Sequence, residues 1–138
     1  LSLRRQRQMC IRDSSNIAQM RRSFLNSKIH TATVTGSNIN YEGSCMIDLS
    51  LLNAANIKPY EKIDIYDVTN GERLTTYAIP GPADSAEVCV NGACCHKINI
   101  NDEVIICSYA TLNEDEIENH YPTIIYLDKK NSITDKMA

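Results

Sequence analysis

The stretch Tyr41-Glu42-Gly43-Ser44-Cys45 places a serine hydroxyl directly after a glycine carbonyl. A Gly-Ser amide is ordinarily inert. When its surroundings strain it and aim hydrogen-bond donors at the Gly43 carbonyl oxygen, the Ser44 hydroxyl can attack that carbon and convert the amide to an ester. Elimination across the Cα–Cβ bond of Ser44 then frees an upstream piece ending in Gly43. Hydration with loss of ammonia leaves a ketone, a pyruvoyl group, at the head of the downstream piece. Glycine at position 43 leaves the carbonyl open and accepts backbone angles closed to other residues. The same dipeptide is also ordinary turn chemistry, so taken alone it leaves both readings open.

Other residues have types and spacings suited to a site. Lys28 and His30 lie two apart in a β-branched stretch, so a strand would put both on one face, toward a site or toward solvent. Arg73, Thr75 and Tyr77 share a face by the same period, with Thr76 on the other unless a bulge or local twist intervenes. Asn91-Gly92 is followed by the small residues Ala93, Cys94 and Cys95, which keep backbone N–H groups reachable by a ligand; on local grounds a tight turn before a short helix is the simpler reading. Cys89, Cys94, Cys95 and His96 could be a metal cluster, but they lack the C-x2-C knuckle of structural zinc sites, and buried thiols acting as small hydrophobes are the simpler reading.

The elements that would position these residues are short strands. The chain has 138 residues, 43% of them hydrophobic, with one Phe and no Trp, enough for one domain around one core. Arg21 to Thr35 reads as one or two strands, Gly36-Ser37-Asn38 as a turn and Cys45-Met46-Ile47 as a buried strand. Asp48 caps a short helix from Leu49 to Ala55. Residues 61–68 and 73–79 alternate cleanly around Asn70-Gly71, a strong hairpin signal. Pro80-Gly81-Pro82 ends the second of these runs, and further strands are expected over 86–90, 103–110 and 123–127, with one helical turn over 114–119. No long amphipathic helix is apparent, which predicts a small β-barrel. Residues 1–19 are expected to be a non-native or disordered extension ahead of a start at Met20, with an Arg- and Ser-rich presequence as the alternative, and residues 131–138 a flexible tail.

Composition narrows the function classes. The net charge is −3 with scattered acidic residues and no basic face interleaved with aromatics, which argues against nucleic acid. No apolar run reaches the roughly 20 residues of a membrane span. Six cysteines, two of them adjacent, suit reduced thiols in a cytoplasmic protein better than a disulfide framework.

Several motifs, in order and without evident gaps from about Met20 to Tyr109, resemble one family. Residues 41–48, 63–73, 76–79 and 90–93 are similar to pyruvoyl-dependent aspartate 1-decarboxylase. The resemblance implies a six-stranded double-psi β-barrel with short helices, assembled as a homotetramer with active sites shared between subunits. It implies self-cleavage at Gly43-Ser44 into a β chain of residues 20–43 and an α chain from Ser44, within a domain of residues 20–130. It further implies decarboxylation of L-aspartate to β-alanine for pantothenate through a Schiff base on the pyruvoyl group, with neither metal nor PLP, and with a maturation factor as a possible partner. Thr76 and Asn91 match positions that orient the scissile carbonyl, Arg73 the substrate-carboxylate clamp and Tyr77 the proton donor. Lys28 and His30 match further site positions, and Asn91, Gly92 and Ala93 the substrate loop. Cys94 and Cys95 depart from the alanines usual there and would narrow the pocket, and Asn101 stands where a turn glycine is usual. Two other readings of the chain remain: a β-barrel binding module that never cleaves, and a Cys/His metal protein.

Overall fold

A computed structural model describes residues 20–137; the segment 1–19, expected as an extension, lies outside the described residues. The chain divides into two compact units. The smaller includes residues 20–24 and Ala110–His120. In it, Asn113 and Glu116 form a reciprocal capping box on the one-turn helix α2 (Glu114–Ile117), and the Phe24 and His120 rings meet edge to face at 6.3 Å.

The larger unit, Leu25–Tyr109 with the residues from Tyr121 on, holds the core and every candidate site residue. The described strands are β1 (Arg22–Thr33), β2 (Gly36–Asn38), β3 (Ser44–Asp48), β4 (Lys62–Asp67), β5 (Arg73–Gly81), β6 (Val88–Asn91), β7 (Glu103–Leu112), β8 (Thr123–Leu127) and β9 (Ile133–Met137). They run in the order β2-β6-β3-β5-β4-β7-β1-β8-β9. The architecture is mainly β, as the composition predicts. The nine strands among the described residues exceed the six of the expected barrel because short pairings form where the sequence shows none. Gly36-Ser37-Asn38, read as a turn, is β2, parallel to β6. The expected tail carries β9, antiparallel to β8 with all five residues exposed. Pro80 and Gly81 extend β5 rather than end it, because that end pairs in parallel with Ile47 and Asp48 of β3, past the point where the β4 partnership stops at Lys62 and Tyr77.

Alternation decides which side chains reach the core. Ile63 and Ile65 of β4, Val88 and Val90 of β6, and Val104 and Ile106 of β7 are buried together with Ile29, Ile47, Leu52, Ile57 and Ile98. Helix α1 (Leu49–Ala55) inserts Leu51, Leu52 and Ala55. Asp48 caps it by accepting from the Ser50 N–H at 2.8 Å, and Asn56 ends it in the left-handed conformation at φ 59°. The β4–β5 hairpin closes on Asp67, whose Oδ1 accepts from the N–H groups of Thr69 and Asn70 at 2.8 and 3.2 Å, with Gly71 at φ 79°.

Candidate active site

Ser44 opens β3 opposite Asn91, the last residue of β6, and both are buried, at 1% and 5% exposure. The Asn91 side-chain N–H donates to Ser44 Oγ at 3.2 Å, and the Ser44 hydroxyl donates to the Glu42 carbonyl at 3.2 Å. The register of the two strands fixes this pair, so the hydroxyl is held from both sides. A 3-10 helix (Gly92–His96) follows Asn91. Its first residue has φ +64°, and a Cβ there would lie 2.8 Å from Gly43 Cα, 2.9 Å from Gly43 N and 3.0 Å from the Tyr41 carbonyl oxygen. The sequence reading places the need for glycine at position 43. The structure moves it: Gly43 is outside the positive-φ set and has open space where a Cβ would stand, and the left-handed backbone and close approach fall at Gly92.

Across the other side of β3, Cys45 pairs with Ala78, which puts Ser44 beside Tyr77 one step earlier in a parallel ladder. Both line a cleft of about 300 Å³ with Tyr41, Glu42, Tyr60, Ile79 and Pro80. The Tyr77 ring is half-buried and stacks on Tyr60 at 6.3 Å between centroids. Ala93 is exposed, as a residue of an accessible loop should be. A ketone generated at Ser44 Cα would fit this setting: room for a small molecule opens next to it.

Thr76 faces the other way. By strand alternation it lies on the face of β5 opposite Tyr77, and its hydroxyl draws the Cys94 thiol back against the effect of burial. Burial pushes the Cys94 thiol up, and it pushes Cys45 up further, with the neighbouring Cys94 and Cys89 thiols adding to the effect. These thiols are therefore neutral, and among the described residues no three His, Cys, Asp or Glu side chains are grouped to hold a metal ion.

Arg73, Lys28 and His30 fall in a different part of the sheet. Arg73 sits four residues before Tyr77 on β5, roughly 13 Å along the strand. Its guanidinium lies 4.3 Å from the centroid of the Tyr66 ring, its partner across the hairpin. The Tyr66 hydroxyl reaches Asp64 Oδ2 at 3.5 Å and the Tyr109 hydroxyl at 2.8 Å, and Thr75 donates to Asp64 Oδ1. The Tyr66 contact, followed by burial, holds the Tyr109 hydroxyl well above the usual phenol range. Asp64 pairs with Cys107 on β7; burial raises the Cys107 thiol, and the Lys28 charge draws it back. Lys28, Asp64, Tyr66 and Arg73 thus share one polar face. His30 stands edge-on to Tyr126 at 5.4 Å, with its Nδ1 buried and lacking a hydrogen-bond partner among the described residues.

Sequence reasoning missed Tyr60, Asp64, Tyr66 and Tyr109. Tyr66 and Asp64 were recoverable, since the Asn70-Gly71 hairpin sets them across from Arg73 and Thr75; Tyr60 comes from a segment with no local signal, and Tyr109 from an expected strand whose pairing with β4 no local spacing reveals.

Comparison with known proteins identifies the family. The aspartate decarboxylase family profile matches residues 20–134. A protein of Ralstonia nicotianae named aspartate 1-decarboxylase is 47% identical over 119 residues, covering 86% of this chain and 99% of the relative. Aspartate 1-decarboxylases of Thioalkalivibrio sulfidiphilus and Psychromonas ingrahamii are 52% and 49% identical, covering 80% and 83% of this chain and 88% and 90% of those proteins. A match running from the first described residue to the start of β9, over strands that hold a serine hydroxyl against an asparagine amide beside a tyrosine-lined cleft, places the chain in the aspartate decarboxylase family.

Proposed function

We propose that this protein decarboxylates L-aspartate to β-alanine and CO2 for pantothenate synthesis after cutting itself between Gly43 and Ser44, and that it works in the cytoplasm. The observation that carries the reading is the buried Ser44 hydroxyl, held by Asn91 at 3.2 Å at the edge of a cleft shared with Tyr77. Oγ attacks the Gly43 carbonyl carbon, the Ser44 nitrogen leaves as the amine, and the resulting ester is opened by loss of the Ser44 Cα proton with departure of the Gly43 carboxylate. Water then adds at Cα of residue 44 and its nitrogen departs as ammonia, so the products are a β chain ending at Gly43 and an α chain headed by a ketone at residue 44. Asn91 fixes the nucleophile, and the Thr76 hydroxyl orients the Gly43 carbonyl as it develops negative charge. The pyruvoyl group derived from Ser44 supplies the electron sink for loss of CO2, with neither metal nor PLP.

The remaining residues bind and protonate. Arg73 presents a planar fork to the side-chain carboxylate that aspartate retains. Tyr77 returns a proton to the α-carbon. Gly92 and Ala93 offer backbone N–H groups, and Lys28 with the unpartnered His30 Nδ1 completes the polar face. Within one chain the Arg73 face and the Ser44 cleft are roughly 13 Å apart along β5. That separation favours a homotetramer in which the Arg73 and Lys28 face of one subunit completes the Ser44 cleft of another; a maturation factor would act on the Gly43-Ser44 segment. The test is Ser44→Ala, which should give a single uncut chain releasing no CO2 from aspartate. Release of CO2 by that variant would overturn the proposal.

A further inference from the structure

Tyr60 holds a backbone conformation that disfavours it. Its φ is +70°, in the left-handed region that bulky side chains avoid, and at 76% exposure its ring does not offset that strain by burial in the core. The surrounding turn over-determines the position. Glu61 N–H donates to the Lys58 carbonyl at 3.1 Å, Tyr60 N–H donates to the Ala78 carbonyl at 2.7 Å, and Ala78 N–H donates to the Glu61 carbonyl at 3.0 Å. These bonds clamp Tyr60 beside the residue that follows Tyr77. Its ring lies against the Tyr77 ring, 6.3 Å between centroids with an interplanar angle of 29°, and both rings line the Ser44 cleft.

We propose that Tyr60 is a positioning residue: its strained backbone exists to lay its ring on Tyr77 and hold the Tyr77 hydroxyl in the cleft next to residue 44. The inference rests on the reading that Tyr77 returns the proton. Tyr60 acts through its ring face and needs no hydroxyl. Without it, the exposed face of the half-buried Tyr77 ring opens to solvent and its side-chain torsions are released. A ring stack of this kind is equivalent to about a tenfold bias toward one orientation.

The test separates ring from backbone. Asparagine adopts the left-handed conformation readily, so Tyr60→Asn relieves the backbone while deleting the stack. The expected result is an unchanged or raised melting temperature, self-cleavage at the parental rate, and kcat lowered about tenfold with KM for aspartate much less affected. A readout free of turnover is ring-labelled tyrosine NMR of the uncut Ser44→Ala chain, in which adding Tyr60→Asn should shift and broaden the Tyr77 signal. Tyr60→Phe should restore both kcat and the signal. Parental kcat and an unmoved Tyr77 signal in Tyr60→Asn, with turnover abolished in Tyr77→Phe, would overturn this inference and leave the proposed function standing. Full turnover in Tyr77→Phe would overturn the proton-donor role and the inference together. Failure of both Tyr60→Asn and Tyr60→Gly to fold would assign the ring to the fold and also overturn it.

Discussion

Gly92→Ala tests whether self-cleavage depends on the contact between the β6 terminus and the scissile segment. At φ +64° an alanine adds about 1–2 kcal/mol of left-handed strain. Its Cβ would also stand 2.8–3.0 Å from Gly43 Cα, Gly43 N and the Tyr41 oxygen, well inside the roughly 3.5–4.0 Å of an optimal contact. Overpacking of this kind costs about 1–3 kcal/mol, so the total is about 2–5 kcal/mol, within reach of a domain stable by about 5–15 kcal/mol. Because Asn91 is tied into the β3–β6 ladder while residues 39–43 form a loop, the loop is the part that yields. A shift approaching 1 Å carries the Gly43 carbonyl off the Ser44 hydroxyl and slows cleavage by about 100-fold. The assay follows the intact and cut chains by denaturing electrophoresis over time, beside thermal melts. Gly71→Ala is the control: at φ +79° it meets the same backbone strain, yet nothing lies within 4 Å of the added Cβ, so it should be destabilised and still cleave normally. Parental cleavage by a folded Gly92→Ala would refute the reasoning.

Arg73→Ala should cleave itself normally and turn over aspartate at least about 100-fold more slowly, because the bidentate carboxylate contact is lost while Ser44 and Asn91 are untouched; unchanged steady-state kinetics would remove Arg73 from substrate binding. Asp67→Asn should flatten the pH dependence of stability. Burial, with the Asp102 carboxyl adding, pushes the Asp67 carboxyl from 3.8 up to about 6, against the pull of the Asn70 and Thr69 N–H groups. A raised carboxyl favours the fold below 3.8 and loses that contribution as pH rises through 6, so at neutral pH the parent carries a penalty that the asparagine variant escapes. Allowing for solvent screening at the hairpin, urea unfolding should favour the variant by about 1–2 kcal/mol at neutral pH and by less near pH 4; a constant gap at both would contradict the assignment. Asn91→Ala should fold and cleave slowly, because the hydroxyl loses its 3.2 Å donor, and intact-mass time courses would show an accumulating uncut chain.

Local chemistry made part of this architecture legible. Asn70-Gly71 between alternating runs gave the β4–β5 hairpin, Asp48 the start of α1, and period two the common face of Arg73 and Thr75. Long-range pairing left no such mark: β2 and β9 form because β6 and β8 offer free edges, and Pro80 stays in β5 because a parallel partner arrives from β3. The site divides in the same way. Ser44, Asn91 and Tyr77 are brought together by register, as the motifs suggest, and Thr76 keeps the face that period two gives it, whereas the strained Tyr60 follows from packing that no spacing in the sequence encodes.

The most direct test of the account is the intact mass of the purified, warmed protein. It should resolve two chains, one ending in Gly43 and one beginning at residue 44 that is lighter by one ammonia than the same chain with an intact N-terminal serine. A single full-length mass that persists after warming with cell extract as a source of any maturation factor would contradict it.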